Sequence, residues 1–288
     1  MTNTNGRTAR DQRLEGLLAQ LQRLEPFKIH GEVSACKGAS LICSGLHHFL
    51  SIGDICTVER RRRNKDSKMD CSAEDDHLLA EVMALSEEGA ILLPFEELDG
   101  VSLGAKVTLS REGSVVRPGP GWLGRVVDPL GRPLDQGPPV ENGPIDYPLQ
   151  SRAIAAHLRR DLGERLDLGV RALNLFAPCR RGQRLGIFAG TGVGKTTLLS
   201  MLAQHSGADA LVLGLIGERG RELHGFLNGG LGEEARERSV VVVATSDMPA
   251  MQRRRAAQTT MAVAEALRDQ GLSVLCLIDS VTRYAMAL

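Results

Sequence analysis

The chain has 288 residues, with 35 Lys plus Arg against 35 Asp plus Glu, and so no formal net charge. That length accommodates more than one domain and a sizeable core, and the charge balance excludes bulk attraction to nucleic acid or an anionic membrane. Aromatics are scarce (six Phe, two Tyr, one Trp), so the cores must be built from Leu, Val, Ala and Ile.

The opening stretch "MTNTNGRTARDQRLEG" contains no signal-peptide core, and no run of about 18 apolar residues follows it. This predicts a cytosolic protein. The six cysteines form no Cys-x-x-Cys pair, and His47 and His48 are adjacent rather than at helical ligand spacing. Reduced thiols fit that pattern better than a metal or disulfide framework.

In residues 1–25, Leu14, Leu17, Leu18, Leu21 and Leu24 recur at helical spacing among Arg, Gln and Glu, and Pro26 ends the pattern. The expected element is an amphipathic helix. Its apolar stripe meets either a partner or the chain's own next domain. Residues 26–115 change character, to short alternating segments such as "GEVSACKGASLICSGL" and "LLAEVMALSEEGAILLPF" broken by Gly, Ser, Pro and charge. These read as strands of a small barrel or sandwich. The run "RRRRNKDSKMDCSAEDD" within them reads as a solvated hairpin tip. Residues 116–150, dense in Pro and Gly, read as a connector, within which "GRVVDPLGRPLD" could form an ordered strand-turn-strand.

Residues 151–288 are α/β. "RLGIF", "ADALVLGLIG", "SVVVVAT" and "SVLCLID" are strand candidates. They alternate with the helices "TTLLSMLAQH", "RELHGFLNGGLG" and "AMQRRRAAQTTMAVAEALRDQG", the last ending at Gly271. Near-continuous apolar strands alternating with helices predict a parallel sheet covered on both faces.

The chemistry concentrates in three places. "GTGVGKTT", from Gly190 through Thr191, Gly192, Val193, Gly194, Lys195 and Thr196 to Thr197, follows a strand candidate and opens a helix. Its glycines let successive N–H groups point inward, and the helix adds its positive end. Lys195 reaches the β- and γ-phosphates of a bound nucleotide, and the Thr196 hydroxyl reaches Mg²⁺. "VLCLIDS" ends an apolar strand on Asp279, where a carboxylate serves as a Mg²⁺-site ligand. "LVLGLIGERGRE" places Glu218 beside the same edge, where it either polarises an attacking water or stands in a solvated surface turn. Arg219, next to it, either approaches the γ-phosphate or binds product.

"FAGTGVGKTTLL", "GLIGERGRE" and "LCLIDSVTRYAMA", in this order and spacing, resemble the flagellar and type III secretion export ATPases, relatives of the catalytic subunit of rotary ATP synthases. Ala189 fits that likeness, because export ATPases carry Ala-Gly where ATP synthase catalytic subunits favour Gly-Gly. The resemblance implies a RecA-like P-loop core preceded by a small N-terminal β-barrel and an amphipathic helix. It also implies ATP and Mg²⁺ as cofactors, Glu218 as the glutamate that aligns water, Asp279 and Thr196 at the metal, and Arg219 and Arg283 near the site. The implied partners are a homo-hexamer of like chains, a stator-like regulator on the leading helix, and the export gate with its chaperone–substrate complexes. The implied place is the cytoplasm, peripheral to the inner membrane at the secretion apparatus.

Resembling chains continue past the position of Leu288. An arginine finger, worth on the order of 10³ to 10⁵ in turnover for this chemistry, and a helical C-terminal domain are therefore expected outside this sequence. Weak hydrolysis or none is the expectation for these residues alone. A flagellar role is favoured over a virulence injectisome. Ala189 and "GERGRE" speak against an ATP synthase or vacuolar-type subunit. A non-catalytic nucleotide- or partner-binding remnant is the reading from another class. A nucleic-acid motor would lean on Arg60 to Arg63 and Arg253 to Arg255, but the zero net charge and the lack of interleaved aromatics oppose it.

Overall fold

The computed structural model describes residues 29–61, 77–110, 114–151, 153–190 and 192–288. The amphipathic helix expected in 1–25, most of the Arg-rich hairpin tip and Thr191 lie outside the described residues.

Six strands, β1 (His30–Lys37), β2 (Ser40–Ser44), β3 (Ile55–Glu59), β4 (His77–Ser86), β5 (Gly89–Pro94) and β6 (Lys106–Ser110), form a closed barrel in the order β1-β2-β5-β4-β3-β6. Closure resolves the barrel-or-sandwich alternative, and it leaves no free strand edge. All of its pairs are antiparallel, and β1 meets β6 through His30–Thr108, Gly31–Val107 and Glu32–Lys106. Inward residues alternate along the strands and fill the interior with Val33, Leu41, Val58, Leu78, Val82, Leu92 and Val107. β3 and β4 pair antiparallel, so the Arg-rich run does connect a hairpin. Arg60, however, is no solvated tip residue: it is largely buried and pairs with Glu96 at 2.9 Å.

The next short strands are β7 (Val115–Val116), β8 (Val126–Val127), β9 (Tyr147–Pro148) and β10 (Arg165–Leu166). They are followed by α1 (Arg171–Phe176) and β11 (Cys179–Arg180). "GRVVDPLGRPLD" is ordered as a strand-turn-strand. Val127 bridges Pro133, and Asp128 Oδ1 accepts from the N–H groups of Leu130 and Arg132, both at 2.8 Å. β8 also joins the core sheet, which its connector-like composition does not announce.

The core alternates α2 (Lys195–His205), β12 (Ala210–Glu218), α3 (Gly220–Gly225), α4 (Glu233–Glu237), β13 (Ser239–Thr245), α5 (Ala250–Asp269), β14 (Val274–Asp279) and α6 (Val281–Ala285). Its sheet runs β14-β12-β13-β8, with every pair parallel. Side chains alternate between the two faces. Leu211, Leu213, Leu215, Val241 and Val243 pack with Leu199 and Leu202 of α2, whereas Val212, Ile216, Val240 and Val242 pack with Val263 and Leu267 of α5. Each such fully buried Val or Leu contributes about 1.5–3 kcal/mol of burial.

One expected strand is absent. "RLGIF" pairs with no strand, and Leu185 and Phe188 are exposed; only Ile187 packs against the core cluster. An extended segment becomes a strand only when a neighbour satisfies its N–H and C=O groups, and among the described residues β14 makes its ladder with β12 alone. β14 is thus an edge strand, and its residues from Val274 to Ile278 are only partly buried.

Barrel and core meet along the start of α5. Phe95, buried beside Ile55 and Met251, lies under the Arg255 guanidinium at 5.1 Å, and Gln252 Nε2 donates to the Phe95 carbonyl at 2.8 Å. Arg254 pairs with Glu81 of β4. Arg255 Nε and Thr259 Oγ1 both donate to the Pro129 carbonyl, at 3.2 and 2.7 Å. Burial lowers Arg255 to about 10, while Asp128 and Glu81 act to keep it charged. Glu96 holds both Arg60 and Arg132 at 2.9 Å. Burial works to raise Glu96, but the two guanidinium groups outweigh it and hold the carboxyl below its ordinary value.

Candidate functional site

The site begins at the loop that leads into α2. Gly192 and Gly194 have φ of +78° and +97°, a region that side chains resist. Open space surrounds the place a Cβ would take at Gly190, Gly192 and Gly194. Gly194 is the N-cap of α2 and offers no side-chain cap. The first-turn N–H groups of α2 therefore remain available, with the positive end of the helix behind them. Val193 is exposed. Lys195 is the first residue of α2, and Thr196 and Thr197 follow it. Together with Gly192, the two threonines line a cavity of about 790 Å³ that is also bounded by Glu222, Gly229 and Gly230.

Asp279 is the last residue of β14 and is buried. Lys195 Nζ donates to Asp279 Oδ1 at 2.5 Å. Two residues singled out separately in the sequence thus meet across the gap between the loop and the sheet edge.

Glu218 ends β12, the strand beside β14. The parallel register sets Leu215 opposite Asp279, so both strands deliver their carboxylates to one edge of the sheet. Burial raises the Glu218 carboxyl above its ordinary value. A hydrogen bond with Glu222 and the charges of Asp279 and Glu222 push the same way, while Lys195 pulls it down.

The turn that carries Glu218 has a specific architecture. The register with β13 shifts between Ile216 and Glu218, and the intervening Gly217 has φ +74°. A Cβ on Gly217 would lie 2.7 Å from Arg283 Cβ and 2.9 Å from its Cγ. The stem of Arg283 therefore lies across the backbone immediately before Glu218. Ser280, the residue after Asp279, caps α6, its Oγ accepting from the Arg283 N–H at 3.4 Å. Arg219 occupies the N-cap position of α3 and is exposed, whereas Glu218 is half-buried.

The structure brings Lys195, Asp279 and Glu218 together, with Thr196 and Thr197 on the adjoining cavity and Arg283 braced against Gly217. Thr191 lies outside the described residues. Two participants were missed in the sequence: Glu222 and Gly217. The signal for Glu222 was the second glutamate of "GERGRE", four residues after Glu218. That spacing brings two carboxyls together only once α3 is known to start between them.

The nucleotide-binding domain of the ATP synthase alpha/beta family matches residues 169–288. The "Flagellum-specific ATP synthase" of Caulobacter vibrioides is 47% identical over 274 residues, covering 95% of this chain and 59% of the relative. The "Type 3 secretion system ATPase" of Pseudomonas savastanoi pv. phaseolicola is 38% identical, covering 93% of this chain and 58% of the relative. Among solved structures, the assembled type III secretion ATPase of enteropathogenic E. coli in complex with its central stalk superposes with a TM-score of 0.76. It is 37% identical and covers 89% of this chain and 59% of its own. The chain thus spans about three-fifths of the length of these relatives. Over that span, the chain is similar by sequence and by fold to flagellum-specific and type III secretion ATPases.

Proposed function

We propose that the chain binds ATP with Mg²⁺ at this site, and that the protein built on it energises protein export by a flagellar secretion apparatus. The observation that carries the reading is the convergence of Lys195, Asp279 and Glu218 at the mouth of a glycine loop that opens a helix. The donor set suits the cofactor. Mg²⁺ prefers hard oxygen ligands and takes one or two from protein, leaving the rest to water and phosphate. The Thr196 hydroxyl and the Asp279 carboxylate are such a pair. Bound there, the metal supplies charge neutralisation on the phosphates.

The chain's own residues then divide the work. The loop N–H groups from Gly190 to Thr197 and the Lys195 ammonium hold the phosphate chain. Glu218 accepts a hydrogen bond from the attacking water and orients it. Arg219, exposed at the start of α3, would meet the γ-phosphate or the product. The greater identity to a flagellum-specific relative than to a type 3 secretion relative supports the flagellar reading over the injectisome one. The proposed partners are those the motif resemblance implies: like chains in a hexamer, a stator-like regulator on residues 1–25, and the export gate and its chaperone–substrate complexes. The protein would act from the cytoplasmic side, peripheral to the membrane and without nucleic acid. No helix among the described residues is long and apolar enough to cross a membrane.

A second reading, nucleotide binding with little turnover, is supported by one observation: residues 183–190, which lead into the loop, pair with no strand among the described residues. Single-turnover phosphate release tests both. Glu218→Gln is expected to lower release by about 10²- to 10⁴-fold with nucleotide affinity retained. A release rate unchanged by the substitution contradicts the catalytic reading. Saturable binding with no release from either form selects the second.

A further inference from the structure

One end of the barrel presents an apolar surface. Residues 45–54, between β2 and β3, expose Phe49 (57%) and Ile52 (69%), and β4 exposes Met83 and Leu85. Loop and strand are tied together: the Gly53 N–H donates to the Val82 carbonyl and the Val82 N–H to the Asp54 carbonyl, both at 2.8 Å. His47 and His48 of the loop, with Leu85, Ser86 and Glu87, line an open cleft of about 590 Å³. His47 Nδ1 is buried with no hydrogen-bond partner among the described residues. An apolar patch with an unmet polar atom beside it marks a contact surface.

We infer that this end of the barrel is covered by the chain's own leading segment, residues 7–25, which lies outside the described residues. Three observations select that occupant over a second copy. The chain enters at the patch: β1 starts at His30, and a Cβ on Gly31 would lie 3.2 Å from Leu46 Cβ. The reach suffices. β1, β2, β5 and β4 are successive neighbours at about 4.8 Å, so about 14 Å of wall separates the entry from the turn at Glu87 and Glu88. A helix running from Leu24 back to Arg10 covers about 21 Å. The pattern also matches. Leu14, Leu17, Leu21 and Leu24 fall on one heptad line, and that line continues upstream into Arg10 and Arg7. Laid outward from the entry, the leucines cover Phe49, Ile52 and Leu85, and the arginines reach the exposed Glu87 and Glu88. Docking of this kind withholds the leucine stripe from the regulator proposed above until the regulator displaces it. The nucleotide site plays no part in it.

Hydrogen exchange on the whole chain, without nucleotide or partner, tests it. An isolated helix of this size, with Gly16 inside it, is marginal in water, so protection there reports docking. Residues 14–25 are expected to exchange at least about tenfold more slowly than an unstructured peptide. The protection is expected to survive about 100-fold dilution, because the contact lies within one chain. Phe49→Ser with Ile52→Ser, two exposed positions, is expected to abolish it. Leu17→Glu with Leu21→Glu is expected to speed exchange over residues 47–52, and this arm decides the matter if the barrel variant fails to fold. Residues 14–25 exchanging as a free peptide overturns the inference. So does protection that fades on dilution, which assigns the patch to a second copy. Protection unchanged in the barrel variant, or exchange over 47–52 unchanged in the leucine variant, also overturns it by placing the stripe elsewhere. Each of these failures leaves the nucleotide-site reading standing.

Discussion

At the scale of single residues, the turn before Glu218 depends on one missing methyl group. Gly217 combines φ +74° with the Arg283 stem where its Cβ would go, 2.7 Å from Arg283 Cβ. Gly217→Ala is therefore expected to cost about 1–3 kcal/mol, read as a lowered unfolding midpoint in urea; an unchanged midpoint contradicts the packing described. Asp135 gives a pH-dependent counterpart. Its bidentate hydrogen bonds from Arg125, at 2.9 and 2.6 Å, and one from the Val126 N–H hold its carboxyl down to about 2. Unfolded, the same group titrates near 4. Its contribution is therefore complete above about pH 4 and fades as pH falls toward about 2. Asp135→Asn should remove that part of the acid sensitivity, seen as a flatter melting temperature against pH over this window. Lys195, Thr196 and Asp279 were legible in the sequence, because each stands in a local pattern with a known chemical use. The Gly217–Arg283 contact and Glu222 were not, because they depend on how β12, α3 and α6 approach one another.

At the scale of elements, apolar runs and helical periodicity gave β12, β13, β14 and α5 without tertiary help. "RLGIF" has the same local pattern as those strands and yet pairs with none. The difference lies outside the segment, in whether a neighbouring edge takes its hydrogen bonds. β8 shows the converse: two valines in a Pro- and Gly-rich stretch join the sheet because Val126 and Val127 align with Val241 and Val242 of β13. The junction helix offers the clearest test at this scale. Phe95 is buried between barrel and core, under Arg255 and beside Met251. Phe95→Ala is expected to destabilise by about 3–5 kcal/mol in denaturant titration. A loss under about 1 kcal/mol would show that the barrel does not rest on α5 through this side chain.

At the scale of the whole molecule, the segment patterning predicted a small barrel or sandwich and a parallel α/β sheet in one chain, and the closed barrel and the parallel sheet are found. The buried contacts between them, Arg254 with Glu81 and Arg255 with Phe95, join residues far apart in sequence and were invisible in it. The chain spans about three-fifths of its relatives' length, and within that span lie the glycine loop, Lys195, Glu218 and Asp279. The central claim is that this constellation is a nucleotide site. Calorimetric titration of Mg²⁺–ATP into the unaltered chain and into Lys195→Ala tests it most directly. Saturable one-site binding, weakened at least about tenfold by the substitution, is the predicted result. Binding of equal strength in both proteins, or in neither, contradicts the account.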